Sequence, residues 1–197
     1  MEGLHAIVLA AGESRRMGQP KMLLPFRGKT VIETVIDNIT ASGIDNIHVV
    51  LGANAEAITS VISKYDVKII INNIYKEGML SSVKKGFRQL PDDLGAVLVF
   101  PGDQPSIDAA IIKGFIKKVS ETGKGIVIPV KDGRRGHPIL ISSKYRSEVL
   151  RLEDEEGLRG LSVKFRDDVG EIPVDDEAIL RDIDTYDDYL EELNKTR

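Results

Sequence analysis

The chain has 197 residues, 42% of them hydrophobic, which is enough for one compact domain with a real core and too little for a second. A net charge of −4, with Lys, Arg, Asp and Glu mixed along the chain, leaves no basic stripe for a phosphate backbone and argues against nucleic acid as a partner. Cysteine is absent, which removes disulfides, thiolate metal sites and cysteine nucleophiles. The first apolar run has no charged segment before it and is too short to span a membrane, so no membrane association and a cytoplasmic location are expected.

In chain order, strand-like and helix-like segments alternate. His5-Ala6-Ile7-Val8-Leu9 reads as a first strand, and 47–51, 67–71, 96–100 and 126–129 repeat the pattern. Continuous β-branched runs of this kind suit parallel strands buried on both faces. Between them apolar residues fall at helical spacing: Val31, Val35, Ile36 and Ile39, then Ile58, Val61 and Ile62, then Ile111, Ile112, Phe115 and Val119. Short runs of Gly, Asn, Asp and Pro separate the elements, without repeats or low-complexity stretches, and the series predicts one α/β sheet domain.

The strongest chemical signal leaves the first strand: Leu9-Ala10-Ala11-Gly12-Glu13-Ser14-Arg15-Arg16-Met17-Gly18-Gln19-Pro20-Lys21. Ligands of open α/β sheets collect at the carboxyl ends of strands. Ala10, Ala11 and Gly12 let backbone N–H groups approach phosphate oxygens closely, while Arg16 and Lys21 supply countercharge, and a triphosphate needs both. The segment is neither a Walker A loop, lacking Gly-Lys-Ser/Thr, nor a Gly-x-Gly-x-x-Gly fingerprint. A solvated turn with surface basic residues is the plainer reading.

Further along, Asn72-Asn73-Ile74-Tyr75-Lys76-Glu77-Gly78-Met79-Leu80-Ser81-Ser82 follows the third strand and leads into a helix. Its amides and hydroxyls can hydrogen-bond a base edge, although a strand-turn-helix connection accounts for them as well. Asp103, in a Pro-Gly-Asp-Gln-Pro turn after the fourth strand, is the leading ligand for a divalent metal that neutralises a triphosphate. It suits equally a turn carboxylate capping a helix that begins near Asp108. Lys131-Asp132-Gly133-Arg134-Arg135-Gly136-His137-Pro138 offers paired hydrogen bonds to a phosphate from Arg134 or Arg135, or else an exposed hairpin turn. His137 is expected to position a ligand or to carry a proton near neutral pH, whereas His5 and His48 fall in strand runs and read as structural. Asp184 is the second metal candidate, contributed by a distant part of the chain, and is also a plausible helix N-terminus.

These residues carry a family resemblance. Residues 9–21 fit Leu-Ala-Ala-Gly-x-Ser-x-Arg-Met-Gly-x-x-Lys, which resembles the N-terminal signature of the MobA-like NTP transferases. Gly102-Asp103-Gln104-Pro105, Gly136-His137-Pro138 and Asp182-Ile183-Asp184-Thr185-Tyr186-Asp187-Asp188 follow in order and resemble the molybdenum cofactor cytidylyltransferase branch, so the likeness covers nearly the whole chain. The resemblance implies a Rossmann-like three-layer α/β/α sandwich with a mostly parallel sheet, of the nucleotide-diphospho-sugar transferase type. It implies a single NTP transferase domain over 1–197, with a nucleotide-binding part at about 1–105 and an acceptor-binding part at about 106–197.

The same resemblance assigns roles. Leu9, Ala10, Ala11, Gly12, Arg16 and Lys21 would hold the triphosphate, and Asn73, Gly78, Ser81 and Ser82 would form the wall that meets base and ribose. Asp103 and Asp184 would hold Mg²⁺, with Mn²⁺ as an alternative, and Lys21, Arg16 and Asp103 would be the catalytic set. Arg135, Gly136, His137 and Arg159 would bind the acceptor, the molybdenum cofactor, and CTP is the favoured nucleotide because Ala11 stands where guanylyltransferase relatives tend to carry Gly. The product would pass to a molybdenum hydroxylase apoenzyme. One departure concerns the acceptor: close relatives carry Gly-Asp-x-Gly-Ala-Arg before a helix, and here Leu158 replaces the Ala between Gly157 and Arg159. Two other readings stay open, a nucleotidyltransferase for another acceptor such as a sugar phosphate, and a non-catalytic cofactor chaperone.

Overall fold

A computed structural model describes residues 3–195. The chain runs β1 (Leu4–Ala10), β2 (Pro25–Phe26), β3 (Lys29–Thr30), α1 (Val31–Ala41), β4 (Asn46–Leu51), α2 (Ala55–Ile62), β5 (Lys68–Ile71), α3 (Met79–Arg88) and β6 (Ala96–Pro101). It continues with α4 (Ala109–Thr122), β7 (Ile126–Lys131), β8 (Arg134–Arg135), β9 (Ile139–Ser142), α5 (Arg146–Arg151), α6 (Gly157–Lys164), β10 (Val169–Pro173) and α7 (Tyr186–Asn194). The main sheet has the order β10-β7-β9-β6-β1-β4-β5, with β8 paired to β7.

Alternation along the buried strands divides the core in two. Ala6, Val8 and Ala10 of β1, with Leu98 and Phe100 of β6, pack against Ile32, Ile36 and Ile39 of α1, Ile58 of α2 and Phe115 of α4. Their neighbours Ile7, Val97 and Val99 face the other way, onto Leu80, Val83 and Phe87 of α3, Val149 of α5 and Leu161 of α6. Strands buried on both faces need helices on both faces, and the result is a three-layer α/β/α sandwich. The mostly parallel sheet implied by the family resemblance is present: β1 pairs in parallel with β4 and β6, β4 with β5, and β7 with β10.

The five strand runs read from sequence correspond to β1, β4, β5, β6 and β7, whereas β8, β9 and β10 lie outside them. β9 runs antiparallel to both β6 and β7. Its course follows from the tight β7–β8 hairpin, where Asp132 and Gly133 both take positive φ and turn the chain back. β10 contains Gly170 and ends at Pro173, residues that weaken a strand signal in sequence.

Sheet order locates the site. From β1 the chain moves through α1 to β4 and β5 on one side, and β6 returns to the other side of β1, so the carboxyl ends of β1 and β6 form a topological switch point. Leu9 lies opposite Pro101 there. A satellite cluster of Leu24, Phe26, Val31, Ile183 and Tyr189 ties the β2–β3 hairpin to α7, and the Tyr189 hydroxyl donates to the Pro25 carbonyl. The C-terminal segment is thereby carried back to the switch point.

Candidate active site

A cleft of about 600 Å³ opens at the switch point, with Leu9, Ala11, Gly12, Arg16 and Lys21 on one side and Asp103, Asp182 and Asp184 on another. The loop after β1 is closed on itself: the Lys21 N–H donates to the Ser14 hydroxyl at 3.1 Å, and the Met17 N–H to the Ser14 carbonyl at 3.0 Å. Beside it the Gly102 N–H donates to the Leu9 carbonyl at 2.9 Å, and a Cβ on Gly102 would stand 2.9 Å from that same oxygen. Only glycine lets the β6 turn approach β1 so closely, and the next residue is Asp103.

Charge in the cleft is interlocked. Lys21 Nζ donates to Asp103 Oδ2 and, at 3.2 Å, to Asp184 Oδ1, while Arg16 Nη2 lies 2.8 Å from Asp184 Oδ2. Burial by itself would lower the Lys21 pKa, but Asp103 and Asp184 outweigh it and raise the group above the ordinary lysine value. Lys21 therefore stays charged at neutral pH. The protein around its carboxyl and the negative Asp103 push Asp182 above the usual aspartate range, against the hydrogen bond it accepts from Gln104.

Asp103 does not cap α4; that role falls to Asp108, which accepts the Ile111 N–H at 2.9 Å. Nor does Asp184 cap α7, since Thr185 and Asp188 form a capping box and Asp188 Oδ2 also accepts the Asp184 N–H at 3.2 Å. Both carboxylates are left facing the cleft. The Ile183 N–H donates to the Asp103 carbonyl at 3.0 Å, which brings the two segments side by side.

The third wall departs from expectation. Gly78 and Ser82 line the cleft with Tyr75, Lys76 and Met79. Asn73 is exposed and stands outside that lining, and the buried amide is its neighbour Asn72, whose Nδ2 donates to the Ser81 and Ser82 hydroxyls at 2.9 and 3.0 Å. Ser81 turns inward to Asn72 and to the Gly78 carbonyl and lies outside the lining, as does Ala10, which is fully buried in the core. Strand alternation running on from buried Ile70 through exposed Ile71 makes Asn72 the inward residue, and that period of two is a signal the sequence itself carries.

A second cavity of about 490 Å³ is lined by Ile128, Arg135, Gly136, His137, Ile139, Leu158, Arg159 and Ser162, among others, so the four residues expected at the acceptor come together. His137 lines both cavities. Burial lowers its pKa, against the opposing pull of Asp103 and the Val99 backbone, so the ring is neutral near pH 7. Arg135 Nε lies 2.7 Å from Glu171 Oε1 on the surface, where both side chains are about half exposed. The Gly136 N–H donates to the Pro129 carbonyl at 2.8 Å and the His137 N–H to the Ile179 carbonyl at 2.9 Å, which fixes this turn against the sheet.

Asp182 lines the cleft as well, although the sequence motifs point to a role only for Asp184 in that segment. It stands two residues from Asp184, the spacing that turns two side chains the same way in extended chain. His5 and His48 are buried in neighbouring strands with Nδ1 and Nε2 3.0 Å apart, remote from this chemistry.

Residues 6–169 match the MobA-like NTP transferase domain. The chain belongs to the MobA-like NTP transferase family. This family of nucleotidyltransferases includes relatives of differing names: the chain is 29% identical to molybdenum cofactor cytidylyltransferase of Escherichia coli, covering 96% of this chain and 95% of the relative. It is also 29% identical to nicotine blue oxidoreductase of Paenarthrobacter nicotinovorans, covering 91% of each. The crystal structure of Rv0371c from Mycobacterium tuberculosis superposes with a TM-score of 0.84 at 28% identity, over 98% of this chain and 97% of the other. Equal identity to proteins named for different reactions leaves the choice of substrate to the site. Among the described residues no helix is long and apolar enough to cross a membrane.

Proposed function

We propose that this MobA-like transferase is a divalent-metal-dependent cytidylyltransferase that moves CMP from CTP to the terminal phosphate of the molybdenum cofactor. The observation that carries the reading is the meeting of Lys21, Asp103 and Asp184 at the switch point, in the cleft that Leu9, Ala11 and Gly12 also line. An acceptor phosphate oxygen bonds to the α-phosphorus, the bond to the β-phosphate oxygen breaks, and pyrophosphate leaves. The acceptor phosphate is already anionic at neutral pH, so no dedicated base is required. Lys21 and Arg16 turn to the triphosphate and offset the charge of the leaving group, and the closed loop after β1 keeps their backbone in place. Catalysis on this reading is chiefly positioning and charge stabilisation.

The donor set fits a hard divalent cation. Two carboxylates converge on one ammonium, and Mg²⁺ takes one or two protein carboxylates and fills its other positions with phosphate and water. Among the described residues no group of three or more His, Cys, Asp or Glu stands ready to enclose a metal, so substrate and solvent would supply the remaining ligands. Asp103 and Asp184 would hold Mg²⁺, or Mn²⁺ in its place, and the ion would neutralise charge on the phosphoryl oxygens.

Arg135, Gly136, His137 and Arg159 bind the acceptor in the second cavity, and the wall shared at His137 suits two substrates meeting there. Ala11 supports CTP as the nucleotide, and a molybdenum hydroxylase apoenzyme would receive the product. The test is pyrophosphate release from purified protein with Mg²⁺ and each of the four NTPs, with and without molybdenum cofactor. Release only with CTP and cofactor is expected. Release with another phosphorylated acceptor would reassign the second cavity, and cofactor binding without release for any NTP would make the protein a carrier.

A further inference from the structure

Gln104 is a buried amide beside the proposed catalytic set, and the reaction as described makes no use of it. The residue is 3% exposed, Nε2 donates to Asp182 Oδ1, and Oε1 has no hydrogen-bond partner among the described residues. Glutamine is rarely buried, and leaving one of its polar atoms unmatched is destabilising. A leucine or methionine would fill the same space without that cost. What Gln104 adds is a second bond between two chain segments that the Ile183 N–H and Asp103 carbonyl already join at 3.0 Å.

The two bonds form a clip. On one strand of it lie Asp103 and Gln104, on the other Asp182, Ile183 and Asp184, with fully buried Ile183 anchored among Leu24, Phe26, Val31 and Tyr189. Without the amide, the Asp182 carboxylate would share the cleft with Asp103 and Asp184 and have no neutral donor to hold it, and like charges brought together repel. We propose that Gln104 is a positioning residue: by holding Asp182 it sets the spacing between the Asp103 and Asp184 carboxylates, and thereby the affinity of the site for a divalent cation. This role rests on the metal assignment proposed above.

Groups that orient metal ligands from behind typically change metal affinity about 10- to 100-fold when removed. The probe is Mn²⁺, followed by electron paramagnetic resonance in the presence of α,β-methylene-CTP, so that binding is read without turnover. Gln104→Met keeps the volume and removes the donor, and should raise the Mn²⁺ dissociation constant by about 10-fold. Gln104→Glu sets a carboxylate against Asp182 and should weaken binding further. The double variant Gln104→Glu with Asp182→Asn restores one donor and one acceptor with their places exchanged, and should return affinity to within about 3-fold of the unmodified protein. A merely structural residue would lower the melting temperature without this exchange rescue.

Unchanged Mn²⁺ affinity in Gln104→Met and Gln104→Glu would overturn the positioning role alone. So would a double variant that binds no better than Gln104→Glu. Failure of the unmodified protein to bind Mn²⁺ with the CTP analogue would overturn the metal assignment and this role together.

Discussion

The two cavities share His137 and treat charge in opposite ways. In the main cleft Lys21 and Asp103 are only 12% and 15% exposed at their side chains, and each is held by the other and by a second bonded segment. In the second cavity the charged groups are exposed: Arg135 pairs with Glu171, both about half exposed, and Arg159 is exposed in a lining that also includes Ile128, Ile139 and Leu158. Phosphoryl transfer depends on preorganised charge in fixed geometry, so on the proposed reading the buried network is where the chemistry resides. An apolar lining with exposed charged side chains suits recognition of an acceptor whose body is bound by shape.

That contrast can be broken first at Asp103. Asp103→Asn should lower kcat by about 10²- to 10³-fold while circular dichroism shows the fold intact. Turnover within a few-fold of the original would move the chemistry out of the cleft.

A region remote from both cavities supplies the next effect. Burial, and then the neighbouring His5 and Lys68, depress the His48 pKa from 6.5 to about 4. The folded state therefore holds His48 neutral while the unfolded chain binds a proton below pH 6.5. The stabilisation is complete above pH 6.5 and is lost as the pH falls towards 4, amounting to about 3 kcal/mol. Urea unfolding of the original protein should weaken over that window more than unfolding of His48→Gln, and parallel curves would reject the assignment.

In the second cavity Arg159→Ala should raise the acceptor KM about 10-fold and leave the CTP KM unchanged, because a single charged hydrogen bond is worth about 1.5 kcal/mol. An equal rise in both constants would mean that the two cavities are one site. Smallest of all, Glu171→Gln breaks an exposed pair and should change stability by less than about 1 kcal/mol. Any gain in acceptor affinity in that variant would show that Glu171 restrains Arg135.

Much of the architecture is legible in the sequence because it is written in local periodicity. The β-branched runs of β1, β4, β5, β6 and β7 announce buried parallel strands, and Gly102 before Asp103 marks a tight turn at a strand end. Where the local signal is short or mixed, the reading fails. β9 is four residues long, β8 only two, and the inward amide lies at Asn72 in place of Asn73 because a one-residue change of register reverses every side chain.

The sequence by itself determined an α/β chain with a phosphate-shaped loop after its first strand, since helical and strand periods and small residues beside basic ones act over a few neighbouring positions. Tertiary structure alone decided that β9 runs antiparallel, that Asp184 joins Asp103 on one lysine, that Gln104 holds Asp182, and that Arg135 pairs with Glu171. Each of these is a contact between segments far apart in the chain. Such contacts depend on the order in which strands enter the sheet and on where α7 docks, and neither is encoded in any short stretch of residues.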